Sequence, residues 1–206
     1  MNKKLFIALE GIDGSGKSTQ MKLLADKLIA MGHKVHTTCE PTDGPIGKLA
    51  RSILKGTIKA DERVIAGLFM ADRLDHLTNE TNGLVKQMNE GYTVITDRYY
   101  FSSYAYHGTH MDMDWVIETN RMSAEILRPT VNVFIDVAPE VSMQRITANR
   151  ETTELYETLD NLRNVRAQYM IAFEKLKDKE TILIVDGNRS VDAIADDIWN
   201  HISSLL

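Results

Sequence analysis

Cysteine is almost missing: Cys39 is the only one in 206 residues. A single thiol forms no intramolecular disulfide and supplies no cysteine zinc cluster. Basic charge is also in short supply. Lys and Arg total 24 against 29 Asp and Glu, a formal net charge of -5. That balance disfavours a surface built for long DNA or RNA, though not a local basic pocket. Long apolar runs are absent as well. The first one, Leu5 to Leu9, stops at Glu10, too early for the apolar region of a signal peptide, and none approaches the length that spans a bilayer. Residence in the cytoplasm is the expectation. No repeat, low-complexity tract or linker divides the chain, so a single domain over 1–206, large enough to bury a proper core, is expected.

What is present alternates between short apolar runs and helical stripes. Leu5 to Leu9 suits a strand buried on both faces of a parallel sheet. Ser18 to Met31 follows as a helix with Met21, Leu24, Ala25 and Leu28 on one face, and Gly32 ends it. Val35 to Cys39 reads as a second strand and Glu40 to Gly47 as a Pro/Gly loop. Asp61 suits the N-cap of a helix running towards Glu90, with Asn82-Gly83 as a possible break. Tyr92 to Asp97 is a third strand, and Asp112 caps a helix through Glu125. Val131 to Val137 is a fourth strand, with Pro139 at the helix start that follows. Thr147 to Thr158 is polar and lacks apolar spacing, which suggests a mobile segment. Leu159 to Lys177 reads as a helix and Ile182 to Val185 as a fifth strand. Val191, Ile194, Ala195, Ile198 and Ile202 mark the inner face of a last helix. Strands alternating with helices imply parallel pairing in an α/β three-layer domain.

Chemistry enters at Gly11-Ile12-Asp13-Gly14-Ser15-Gly16-Lys17-Ser18, which fits G-x-x-x-x-G-K-S between an apolar strand and an amphipathic helix. Glycines let the backbone curl so that successive N–H groups face phosphate oxygens, and a helix N-terminus adds partial positive charge. Lys17 can reach the outer phosphates of a nucleoside triphosphate, and the Ser18 hydroxyl can ligate Mg²⁺. The motif alone does not choose among ATPases, GTPases, partition proteins and small-molecule kinases.

Asp97-Arg98-Tyr99 narrows the choice. It closes the third strand and leads into Phe101-Ser102-Ser103-Tyr104-Ala105-Tyr106-His107-Gly108. Together with Leu9 to Gln20, Glu40-Pro41 and Leu68-Phe69-Met70-Ala71-Asp72-Arg73, it resembles the thymidylate kinase family, in order over nearly the whole chain. The resemblance implies a P-loop NTPase fold with a five-stranded parallel sheet flanked by helices, a short lid at about 147–158, and usually a homodimer. It also implies conversion of dTMP and ATP to dTDP and ADP, with Mg²⁺. Gly11 through Thr19 would bind ATP, and Ser18 and Asp97 would hold the metal. Phe69 would stack on the thymine and Arg73, on the same helix face, would hydrogen-bond it. Arg98 would hold the acceptor phosphate. Asp13 would meet the sugar 3′-hydroxyl, and Tyr106 would lie under the deoxyribose. Glu40, Ser102 and Ser103 match positions lining the acceptor. Arg51 falls near another phosphate-binding arginine, with Lys48 as an alternative donor.

The chain also departs from the family pattern. Cys39 stands where Arg-Glu-Pro often begins. His107 replaces a glutamine that reads the thymine ring, and one imidazole cannot copy an amide's paired donor and acceptor. The phosphate loop carries no arginine, so the lid is expected to supply one: Arg150 first, Arg145 as the runner-up. Two other readings stay open: a kinase for another nucleotide or a deoxynucleoside, and a nucleotide-switched partition ATPase.

Overall fold

The computed structural model describes residues 3–149 and 155–206. Five strands form one sheet in the order β2-β3-β1-β4-β5: β1 (Phe6–Glu10), β2 (Val35–Cys39), β3 (Thr93–Asp97), β4 (Val131–Asp136) and β5 (Ile182–Asp186). Every pairing is parallel. The central strand β1 is buried at all five positions, which is why it reads as an unbroken apolar run rather than an alternating one. Its successive side chains enter opposite layers. Phe6 and Ala8 join a core that includes Val94, Phe101, Phe134, Tyr169 and Phe173. Leu5, Ile7 and Leu9 join one that includes Leu24, Leu28, Ile95, Val133, Ile194 and Ile198. The α/β three-layer architecture expected from the sequence is the one present.

The register places the strand ends side by side. Asp97 pairs with Leu9 and with Cys39, Glu10 with Phe134, and Asp136 with Asp186. The chain runs from β1 to β2 and β3 on one side, and later to β4 and β5 on the other. The crevice at the carboxyl end of β1 is therefore the topological switch point where such sheets bind ligands.

The helices are α1 (Lys17–Ala30), α2 (Pro45–Leu54), α3 (Glu62–Thr78), α4 (Leu84–Asn89), α5 (Tyr100–His107), α6 (Met113–Thr119), α7 (Arg121–Ile126), α8 (Pro139–Asn149), α9 (Leu159–Leu176) and α10 (Val191–Ser203). Several sequence expectations need correction. The loop read at Glu40 to Gly47 ends early: Pro45 occupies the first turn of α2, a position that suits its fixed φ and missing N–H. The long helix from Asp61 divides into α3 and α4, with the Asn82-Gly83 pair in the break. The helix capped by Asp112 divides at Asn120, whose side chain is buried between α6 and α7. Helix α5 was not expected, because all eight of its residues are buried and no polar face marks a period. Val191 is exposed, so the inner face of α10 is Ile194, Ile198 and Ile202. Within 147–158, α8 extends to Asn149, and Tyr156 and Glu157 are buried. Arg150 lies outside the described residues.

Candidate active site

The site begins with the turn between β1 and α1. Gly14 and Gly16 have φ of 75° and 94°, which glycine adopts without steric cost. A Cβ on Gly14 would also lie 2.7 Å from the Ser142 carbonyl, so the loop packs directly on α8. Helix α1 starts at Lys17; no side chain caps it and its first turn carries no acidic residue. No acidic residue of its own first turn therefore offsets the positive end of its dipole. Lys17 is buried and folds back across the loop, donating to Gly11 O at 3.1 Å and Ile12 O at 3.0 Å. Burial lowers its pKa, Arg98 lowers it further, and Asp97, Asp13 and Glu10 act in the opposite direction.

Ser18 donates from Oγ to Asp97 Oδ2 at 2.8 Å. A hydroxyl and a carboxylate are hard oxygen donors, and both stand beside the phosphate loop. That donor set fits Mg²⁺, which prefers oxygen and keeps several waters.

On the other side of the loop, Asp13 joins two acceptor-site candidates. Its Oδ1 accepts from Arg98 Nη2 at 2.6 Å, and its Oδ2 accepts from Tyr106 OH at 2.7 Å. Burial alone would raise the Asp13 pKa, but Arg98 and Lys17 outweigh it and the net shift is downward. Arg98 also donates to Gly11 O at 3.2 Å and Ser102 Oγ at 3.1 Å. Its guanidinium lies 4.8 Å from the centre of the Tyr106 ring, within cation–π range.

A continuous cavity of about 900 Å³ runs from the phosphate loop past Asp97 and Arg98 to Phe69, Ser103 and His107. Phe69 meets His107 edge to face at 5.3 Å between ring centres. His107 is buried, its Nδ1 has no hydrogen-bond partner, and burial together with Arg73 and His110 holds its pKa down to about 3. The ring is therefore neutral near pH 7. Tyr156 also lines the cavity. Its ring lies 5.8 Å from that of Tyr106, its hydroxyl donates to Glu62 at 2.6 Å, and the Leu155 N–H donates to Leu54 O at 3.0 Å.

Arg73 does not line the cavity. It lies behind Glu40 and Ser103, 1% exposed, with Nε and Nη2 donating to Glu40 Oε2 at 2.8 and 2.5 Å, and Nη1 to Ser103 Oγ at 3.0 Å and Asn120 Oδ1 at 2.5 Å. Glu40 takes a third donor, His76 Nδ1, at 3.1 Å. Burial would raise the Glu40 pKa, yet Arg73 and His76 bring it down. The peptide between Glu40 and Pro41 is cis. Arg51 lines the cavity and donates to Pro41 O and, at 3.0 Å, to Asp43. Arg145, also at the cavity, donates to Gly187 O at 3.1 Å, on the side of Arg189 and Val191.

Sequence reasoning missed three residues that hold these parts in place. Glu10 is fully buried beneath Arg98 and Ser102. Asp72 accepts from the Thr42 N–H at 2.7 Å and from its hydroxyl at 2.6 Å, which ties down the loop after Pro41. Asn120 terminates the Arg73 network. Two had a usable signal: Glu10 is a carboxylate at the end of a strand with no exposed face, and Asp72 is an acid on the helix beside Arg73. Asn120 had none.

Comparison with known proteins agrees with this geometry. The thymidylate kinase family model matches residues 9–198. The chain is 43% identical over 202 residues to a putative thymidylate kinase of Aeropyrum pernix, covering 96% of this chain and 93% of that one. It is 39% identical over 202 residues to a probable thymidylate kinase of Methanococcus aeolicus, covering 96% and 94%. With the thymidylate kinase of Leptospira interrogans it shares 33% identity over 198 residues, covering 95% and 93%.

Proposed function

The chain belongs to the thymidylate kinase family, and from that premise we propose that it phosphorylates dTMP to dTDP with ATP by direct in-line transfer at the cavity between the phosphate loop and His107. The observation that carries this reading is Asp13. It belongs to the phosphate loop, yet its carboxylate is held by Arg98 and Tyr106. The donor and acceptor halves of the cavity therefore share one wall.

In this reading, Gly11 to Thr19 bind the triphosphate of ATP. An acceptor phosphate oxygen attacks the γ-phosphorus, and the bond from that phosphorus to the β–γ bridging oxygen breaks. The acceptor phosphate is already largely ionised at neutral pH, so no strong general base is needed. Lys17 neutralises charge on the transferring group, and Arg98 holds the acceptor phosphate against it. Mg²⁺ held by Ser18 and Asp97 would neutralise further charge on the outer phosphates when bound. The Asp13 carboxylate would meet the sugar 3′-hydroxyl, and the Tyr106 ring would crowd a 2′-hydroxyl. Phe69 and His107 offer an aromatic face and one hydrogen-bonding edge to the thymine. Ser102, Ser103, Glu40 and Arg51 complete the acceptor wall. Arg73 supports that wall through Glu40 and Ser103, and it reaches the base only if that network opens. Arg150 is the proposed lid arginine, within a proposed lid at about 147–158 whose closure would exclude water.

Among the described residues no helix is long and apolar enough to cross a membrane. The family resemblance extends the proposal to a homodimer working in the cytoplasm, which sedimentation and fractionation would check. The central test is a panel of acceptors with ATP and Mg²⁺. dTMP should exceed dCMP, dGMP and thymidine by at least about 100-fold in kcat/KM, the scale expected when mismatched polar groups are buried against a base. If dTMP is no better than dGMP or dCMP, the substrate assignment is wrong. ATP hydrolysis unaffected by any acceptor would favour a nucleotide-switched binding module.

A further inference from the structure

Arg98 has a φ of 74°, in the left-handed region that residues with a Cβ disfavour. Such a backbone persists where its surroundings over-determine it, and these places cluster at functional sites. The Arg98 N–H donates to Leu9 O at 2.9 Å. The peptide that follows is held at both ends: the Arg98 carbonyl accepts from Thr96 Oγ1 at 2.9 Å, and the Tyr99 N–H donates to Glu10 Oε1 at 2.9 Å. The other oxygen of the same carboxylate, Oε2, accepts from Ser102 Oγ at 2.6 Å and from Tyr169 OH at 3.0 Å. Ser102 Oγ in turn accepts from Arg98 Nη1 at 3.1 Å. One fully buried carboxylate thus fixes Arg98 twice, by the peptide after it and through Ser102 by its guanidinium.

A residue needed only to fill space at the end of β1 could be apolar, like the four before it. A buried carboxylate is costly unless its hydrogen bonds are used. Here they are used on the segment that carries Arg98. We infer that Glu10 is a positioning residue for the transfer: it maintains the left-handed turn at Arg98 and aims the guanidinium at the acceptor phosphate. This rests on the reading of Arg98 as the acceptor-phosphate cation.

The test is a double-mutant cycle in steady-state kinetics. Glu10→Gln keeps the size but turns one acceptor into a donor that Ser102 and Tyr169 must accommodate. It should raise the KM for dTMP about ten-fold while the KM for ATP stays within about two-fold. Arg98→Ala should raise the dTMP KM further, and adding Glu10→Gln to it should change nothing more. A Glu10→Gln effect that multiplies undiminished in the Arg98→Ala background, or that raises both KM values equally, would overturn the inference while leaving the Arg98 assignment intact. An Arg98→Ala enzyme with unchanged dTMP KM would instead overturn the underlying reading, and the inference with it. Should Glu10→Gln not fold, Thr96→Val releases the other end of the same peptide with little change in shape. It is held to the same pattern: a selective rise in dTMP KM that disappears in the Arg98→Ala background.

Discussion

Arg73 donates two hydrogen bonds to a single oxygen of Glu40, and both side chains are only 1% exposed. The pair ties α3 to the end of β2, and through Ser103 and Asn120 it also ties α5 and the break between α6 and α7. It is the internal frame of the proposed acceptor wall.

A buried pair of this kind should behave as a unit. Arg73→Met leaves Glu40 buried with His76 as its remaining side-chain donor, and it should cost about 3–5 kcal/mol in urea denaturation, as should Glu40→Gln to a smaller degree. The double variant Glu40→Gln/Arg73→Met should recover part of that loss, with a coupling energy of about 2 kcal/mol. Additive losses would mean that the two residues stabilise the fold independently.

Lys17→Ala should leave the fold intact and lower kcat at least about 100-fold, the scale seen when one preorganised donor to developing charge is removed. Lys17→Arg should not restore the rate. Its planar fork cannot occupy the enclosed position from which the ammonium now reaches Gly11 O and Ile12 O. Initial rates beside thermal melting check both. A Lys17→Ala enzyme that keeps its turnover would remove this lysine from the mechanism.

Much of the frame, but less of the proposed acceptor wall, was legible in the sequence. Central parallel strands buried on both faces appear as plain apolar runs, and the phosphate loop is a contiguous motif, so the strands and the turn between β1 and α1 could be read directly. Arg98 could be picked out because it directly follows a strand end. Helix α5 could not, because burial on every side erases the period that announces a helix. Glu10 read as the end of an apolar run, since its partners Tyr99, Ser102 and Tyr169 are brought to it only by the fold; Tyr169 stands 159 positions away. Arg73 was legible as a neighbour of Phe69 on one helix face, but not as a buried cation, because Asn120 gives no local sign that it turns inward.

His107 sets a pH dependence whose sign can be worked out. Its pKa falls from 6.5 to about 3 on folding, mainly through burial. Between those values the unfolded chain binds the extra proton and the folded one does not, so stability is lost as pH falls below 6.5. His107→Gln removes this contribution. The stability of the variant minus that of the wild type should be flat above pH 7 and should rise by about 2 kcal/mol at pH 5. Denaturation curves at several pH values check this. A difference that stays constant from pH 7 to 5 would mean that the folded imidazole titrates normally.

The lid charge is the last assignment to be tested, and the two candidate arginines should fail differently. Arg145 sits on α8 with its guanidinium donating to Gly187 O at 3.1 Å, and with Arg189 it lines the cavity on its proposed donor side. Its loss should raise the KM for ATP, with the dTMP KM within about two-fold of wild type. Arg150, if it stabilises charge on the transferring phosphoryl group, contributes only as that charge develops. Arg150→Ala should then lower kcat and kcat/KM together, by at least about ten-fold, and leave both KM values nearly unchanged. If Arg150→Ala is silent and Arg145→Ala lowers kcat at constant KM, the catalytic charge comes from α8 rather than from the lid. The phosphate loop, which has no arginine of its own, would then draw that charge from the helix against which Gly14 already packs.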